Sequence, residues 1–68
     1  MRYYVNLSKF ESVKRFVEVS SNKSCVCVLK SGRFIVDAKS ILGIFSLDLS
    51  RPIELEVEDG DYAAFDAF

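Results

Sequence analysis

The chain has 68 residues, half of them apolar, and its 9 basic and 10 acidic residues give a net charge of −1. A chain this short forms one domain, residues 1–68, with a small core and no room for a deep catalytic cleft. It contains no histidine, which removes the commonest general base and metal ligand and any chemistry that runs through a phosphohistidine.

A strand and an amphipathic helix are predicted first. Apolar residues alternate with Tyr4 and Asn6 over residues 3–7, which is typical of a β-strand. Ser8 with Glu11 three residues later is the capping-box signature of a helix start. We therefore predict a helix over about 9–19, ended by the polar residues 20–23, with its apolar residues at helical spacing: Phe10, Val13, Phe16 and Val17.

A β-hairpin is predicted in the middle of the chain. Residues 25–29 are a continuous apolar run, 30–33 contain a glycine, and 34–36 begin a second β-rich run. Cys25 and Cys27 lie two apart in the first run. If that run is a strand, they lie on one face of it, at or beyond the distance limit for a disulfide. They fit either a metal or redox pair or two small buried hydrophobic residues. Because there is no histidine or third cysteine to complete a zinc site, we favour the second interpretation and assign no metal site.

The second half of the chain predicts a short helix and the clearest strand. Ser40 is a good N-cap for a helix over about 41–47, and apolar residues alternate strictly with glutamates over 53–58. Residues 61–68 form a last helical turn only if their aromatic side chains dock. The element order β-α-β-β-α-β favours an α+β fold, with a four-stranded antiparallel sheet and helices on one face.

The second predicted helix has more apolar surface than a sheet can cover. Its apolar residues span about 220° of the helical wheel, whereas burial of one face needs a stripe of roughly 100°. Unless the neighbouring helix and loops bury all of them, some face solvent or a partner, and an exposed apolar patch usually marks an interaction site. The residues concerned are Ile41, Leu42, Ile44, Phe45 and Leu47.

Residues 32–47 resemble the central segment of the histidine-containing phosphocarrier protein (HPr) family of the bacterial sugar phosphotransferase system. The most specific part is Ala38-Lys39-Ser40-Ile41-Leu42-Gly43, followed by Ser46-Leu47. The resemblance extends over about residues 32–58 and is faint over 1–31. It implies an HPr-like open-faced β-sandwich in which the third helix is truncated.

The resemblance also indicates what this chain lacks. The family's phosphorylated histidine and the neighbouring arginine and proline fall at Lys9, Glu11 and Ser12, and all three are replaced. Phosphohistidine transfer is therefore excluded by composition. No catalytic residue and no cofactor are predicted.

The family's second phosphorylation site is a regulatory serine, which Ser40 matches. In Gram-positive relatives a kinase phosphorylates this serine, and the product binds a transcriptional regulator. The family's partner-binding hydrophobic residues match Ile41, Leu42 and Phe45, with Lys39 beside them as an electrostatic contact. A plain N-cap that is never phosphorylated is the alternative interpretation of Ser40.

We therefore predict a non-catalytic, cytoplasmic, HPr-like domain that binds protein partners such as a kinase or a transcriptional regulator. A substrate or decoy for the HPr kinase is the alternative. An enzyme would have to use the row of Glu54, Glu56 and Glu58, which a solvated strand face explains equally well. The Lys and Arg density is too low for nucleic-acid binding, and no apolar run reaches the roughly 20 residues of a membrane span. A homodimer formed through the patch is a further alternative.

Overall fold

The computed structural model describes residues 2–68. They form a four-stranded antiparallel sheet with strand order β1-β4-β2-β3 and two α-helices, which confirms the predicted α+β class. In chain order the elements are β1 (Tyr3–Val5), α1 (Phe10–Ser21), β2 (Cys27–Ser31), β3 (Phe34–Asp37), α2 (Ile41–Phe45), β4 (Ile53–Val57) and a 3₁₀ turn (Ala63–Phe65).

One hydrophobic core lies between the sheet and the helices. Strand β4 is central in the sheet, and its alternation places three apolar side chains in the core, as predicted, while its glutamates lie on the other face. Both helices cover the same face of the sheet, because each contributes side chains to this one cluster. The fully buried members include Val5, Val13, Phe16, Leu29, Ile44, Ile53 and Leu55.

Helix α1 begins and ends later than its sequence predicts. The predicted capping box is wrong: Lys9 is the N-cap, and no side chain caps the helix. The first helical hydrogen bond joins the Val13 N–H to the Lys9 carbonyl, so tertiary packing rather than the Ser8 hydroxyl determines where the helix starts. The helix continues to Ser21 because Ser20, expected in a polar turn, is buried and hydrogen-bonded.

The first strand of the hairpin is shifted towards the C-terminus relative to its prediction, whereas β3 begins at Phe34 as predicted. Strand β2 begins at Cys27 and continues through the polar Lys30 and Ser31, because Lys30 faces the open side of the sheet opposite Glu54 and forms an ion pair with Glu56. Only two residues connect β2 to β3. Gly32 is the first of them and has a φ of 59°, in the left-handed region that glycine adopts without strain.

Strand β1 and helix α2 are each shorter than predicted. Strand β1 ends at Val5 because its partner β4 begins at Ile53, opposite Val5. Helix α2 ends at Phe45, and the next turn tightens to i→i+3 bonds, from Leu47 N–H to the Ile44 carbonyl. None of the helices formed by residues 2–68 is long and apolar enough to cross a membrane.

The C-terminal segment docks through its aromatic side chains. Phe65 is fully buried, and its ring centroid lies 5.3 Å from that of Phe16 on α1. Tyr62 stacks on Tyr3 with a centroid distance of 4.7 Å, and its hydroxyl accepts a hydrogen bond from the Val57 N–H. The sequence predicts a helical turn here only if the aromatic side chains dock. They do dock, and the segment forms a single 3₁₀ turn.

Candidate partner-binding site

Ser40 caps α2 at the surface of the domain. Its backbone is extended, with φ −103° and ψ 105°, and its Oγ accepts a hydrogen bond from the Gly43 N–H at 3.2 Å. The predicted N-cap is thus confirmed, and the side chain is exposed. Gly43 suits this geometry because a Cβ there would lie 3.2 Å from Ser40 Oγ and 3.4 Å from Val36 Cβ.

The short helix divides its apolar side chains between core and solvent. Ile44 and Leu47 are buried, whereas Leu42 is 81% exposed and Phe45 is 40% exposed. Ile41 is half-buried and packs against the core. The expected surplus of apolar surface on this helix is therefore found at Leu42 and Phe45.

Phe10, on α1, extends this apolar surface. Its ring is 61% exposed and stacks on the Phe45 ring, with centroids 5.5 Å apart and planes 18° apart. Phe10 shares the helical spacing of the buried Val13 and Phe16 but is not itself buried, and it is the first residue of the helix. We call the four residues Phe10, Ile41, Leu42 and Phe45 the α2 patch.

The Lys39 ammonium group is bound by backbone carbonyls of residues outside the α2 patch. It donates hydrogen bonds to the carbonyls of Lys23 and Cys25 at 2.8 and 3.0 Å. The Lys39 N–H in turn binds the Asp37 carboxylate. Lys39 therefore links the start of α2 to the segment before β2 by hydrogen bonds. The structure does not bring its charge to the exposed apolar side chains.

The three positions matched to the family's histidine site lie at the start of α1. Lys9 is its N-cap and is exposed, Glu11 is exposed in the first turn, and Ser12 is half-buried. Phe10 lies among them and is the residue that stacks on Phe45. The start of α1 and helix α2 thus border the same apolar surface.

Both cysteines are free thiols at the start of β2. Cys27 is fully buried and Cys25 is half-buried. Burial raises the pKa of the Cys27 thiol, and the neighbouring Cys25 adds to the rise. Among residues 2–68, no three His, Cys, Asp or Glu side chains are placed to hold a metal ion.

Glu54 and Glu56 on the open face of β4, and Glu58 just after the strand, each have a polar partner. Glu54 lies 4.0 Å from the Arg2 guanidinium, and Glu56 pairs with Lys30. The Glu58 carboxylate accepts a hydrogen bond from the Val26 N–H. Each glutamate therefore has a partner that accounts for its place on the sheet.

Comparisons with protein-family models, with curated proteins and with solved structures found no significant match to this chain.

Proposed function

We propose that this domain is a non-catalytic, HPr-like regulatory module of the cytoplasm that binds a protein partner through the α2 patch. Phosphorylation of Ser40 would control that binding. The observation that carries the proposal is the exposure of large apolar side chains on a helix whose other face is in the core. The element order and the motif around Ser40 support the likeness to HPr.

The α2 patch has the composition of a docking site. Three of its members are large side chains that are between 40% and 81% exposed, and two of them are aromatic, the residue type enriched at interface centres. The stack of Phe10 on Phe45 holds both rings in place before binding, which lowers the entropy that a partner must overcome. Lys14 lies 6.0 Å from the Phe10 centroid and provides a charged border.

Ser40 is well placed to control this surface. Its hydroxyl is exposed and precedes Ile41 and Leu42 directly. A phosphoryl group there adds a charge of about −1.5 to −2 and three acceptor oxygens. Since Lys39 is held by backbone carbonyls, the new charge is left for a basic side chain of the partner.

The docking surface is tested by quantitative pull-down from a native bacterial extract. We expect Leu42→Asp with Phe45→Ala to abolish recovery of the partner that the wild-type domain retains. Val26→Asp is the matched control, because Val26 is also an apolar residue, 58% exposed, but lies beside Glu58 on the opposite face of the sheet. Equal recovery by the wild type and the patch variant would refute the docking site.

The role of Ser40 is tested separately, with the same partner and two capping variants. Ser40→Asn and Ser40→Asp both keep a good N-cap, and only the second adds a charge. We expect Ser40→Asn to bind like the wild type and Ser40→Asp to bind about fivefold more tightly, in the direction of phosphorylation. Indistinguishable affinities for the two variants would rule out control by charge at Ser40.

A second candidate function, a substrate or decoy for the HPr kinase, is favoured by the exposure of the Ser40 hydroxyl within the most HPr-like part of the chain. Incubation with an HPr kinase and ATP should add roughly 80 Da, the mass of one phosphoryl group, and Ser40→Ala should prevent the gain. A gain that survives Ser40→Ala, or no gain in the wild type, would contradict this function.

A further inference from the structure

The two edge strands of the sheet, β1 and β3, differ in how well they are covered. At the β1 edge, the chain after the strand is held by the C-terminal segment, through a bond from the Asn6 N–H to the Phe68 carbonyl. At the other edge lies β3, whose Phe34 is 68% exposed and whose Ile35 is 64% exposed. Phe34–Asp37 contains no lysine, no proline and no bulge, which are among the devices that protect an edge from pairing, so its protection is limited to its four-residue length and the charge of Asp37.

The pairing of β3 with β2 determines which backbone N–H and C=O groups of β3 face outward at this edge. In an antiparallel pair, successive residues turn their N–H and C=O groups alternately towards and away from the partner strand. Phe34 and Ser31 flank the two-residue turn and so form a bonded pair, and the Ala38 N–H bonds inward to the Cys27 carbonyl. Ile35 and Asp37 therefore turn their backbone groups outward. The Asp37 carbonyl already accepts a hydrogen bond from the Ser40 N–H at 3.0 Å, so Ile35 is the residue that offers both a donor and an acceptor to a partner strand.

The residues of β3 are complementary to a second copy of themselves. When Ile35 is opposite Ile35 of a second antiparallel copy, Phe34 is opposite Val36, and Arg33 is opposite Asp37. Residues that face each other across an antiparallel pair lie on the same face of the sheet. Two ion pairs then flank an apolar centre, and the outward backbone groups of Ile35 meet those of its counterpart.

We infer that β3 is a homodimerisation edge, at which two copies of this chain join their sheets into one antiparallel eight-stranded sheet about a two-fold axis. A two-fold interface uses the same patch on both chains, so each contact occurs twice. The register with Ile35 at the axis satisfies the charges of Arg33 and Asp37 and covers the exposed Phe34. None of these β3 residues belongs to the α2 patch, and the inference does not depend on the proposed function.

The inference is tested by sedimentation of the full chain over about 1 μM to about 1 mM, the range of weak interfaces. We expect the wild type to reach the mass of a dimer. Arg33→Asp and Asp37→Arg each place like charges opposite one another at both symmetric positions, so each should raise the dissociation constant about tenfold or more.

Mixing these two variants tests the register itself. In a mixed dimer the introduced aspartate of one chain is opposite the introduced arginine of the other, and the unchanged Asp37 is opposite the unchanged Arg33. Opposite charges then face each other at both positions, so we expect association to return although each variant alone associates more weakly than the wild type. Recovery of binding also shows that both variants fold. Ile35→Lys, which introduces a protective edge residue, should remain monomeric in every mixture.

Three outcomes would overturn the inference. The first is a wild type that stays monomeric to about 1 mM. The second is a dimer that is unaffected by Arg33→Asp but lost in Leu42→Asp with Phe45→Ala, since that dimer would use the α2 patch. The third is a mixture of the two folded charge variants that associates no better than either alone.

Discussion

Ser20 shows how much a single buried hydroxyl contributes to this small domain. It is the one polar side chain among the buried residues of the described part of the chain. Its Oγ lies 2.7 Å from the carbonyl oxygens of both Phe16 and Ala38. Because Ala38 follows β3 and precedes α2, this hydroxyl joins the end of α1 to the segment that positions Ser40.

Replacement of this hydroxyl should be costly. We expect Ser20→Ala to lower the free energy of unfolding by about 1–2 kcal/mol, because it leaves a buried carbonyl without a partner. The measurement is urea unfolding followed by circular dichroism. Ser21→Ala, at the exposed next position of the same helix, is the matched control and should change stability by less than about 0.5 kcal/mol. Equal effects of the two substitutions would contradict this role of Ser20.

At the scale of elements, buried aromatic contacts hold the C-terminal segment against the rest of the domain. The Phe65 ring is fully buried and meets Phe16, while Phe68 packs edge-on against the same ring at 5.5 Å. Phe65 thus joins the C-terminal segment to α1 within the core. A segment of one 3₁₀ turn has no stability of its own, so its order depends on these contacts.

Truncation of this ring should bring the domain close to unfolding. We expect Phe65→Ala to cost about 3–5 kcal/mol, out of the roughly 5 kcal/mol available to a domain of this size. Phe65→Leu retains most of the apolar volume and should cost clearly less. Thermal unfolding of the two variants measures the difference, and a midpoint for Phe65→Ala within a few degrees of the wild type would show that the segment is dispensable.

The elements that sequence predicts best are those in which a single periodicity decides the structure. Strand β4 is such a case, because the strict alternation that begins at Ile53 fixes both its start and its buried face. The hairpin is different, since an apolar run does not reveal where pairing begins. The strand continues through Lys30 because of charges on β4, and these are contacts between distant parts of the chain.

In the candidate site, too, the features set by local sequence could be predicted, and those set by distant contacts could not. The Ser40 cap and the exposure of Leu42 follow from local sequence, because a cap is a local hydrogen bond and a helix has one buried face. Phe10 could not be assigned to the site, since its stack on Phe45 joins two helices. The position of the Lys39 ammonium group also depends on a remote partner, the carbonyl of Cys25.

At the scale of the whole molecule, charge is divided unevenly along the chain. Residues 1–51 contain nine basic and four acidic residues, and residues 52–68 contain six acidic residues and no basic ones. The fold brings the two parts together. Lys23, after α1, binds Asp59 at 2.9 Å and lies 3.8 Å from Asp61, both in the turn that follows β4.

This cluster of Lys23, Asp59 and Asp61 makes the stability of the domain depend on pH in the acidic range and in the alkaline range. The Asp61 N–H and then Lys23 lower the pKa of Asp59 below its ordinary value of 3.8. Its contribution is therefore present above pH 3.8 and is lost as the pH falls through the lower folded value. The hydrogen bond to Asp59 raises the pKa of Lys23 above 10.5, so that contribution is lost only as the pH rises beyond this value.

Removal of the Lys23 ammonium group should separate the two causes that lower the pKa of Asp59. By NMR titration of the carboxyl groups, we expect Lys23→Met to raise the pKa of Asp59 towards, but not to, its ordinary value, because the Asp61 N–H still binds the carboxylate at 2.9 Å. Lys9→Met removes an exposed cation at the start of α1 and should leave the Asp59 titration unchanged. A pKa of Asp59 that does not respond to Lys23→Met would show that Lys23 and Asp59 do not pair in solution, and that the acidic C-terminal segment is held by its aromatic side chains alone.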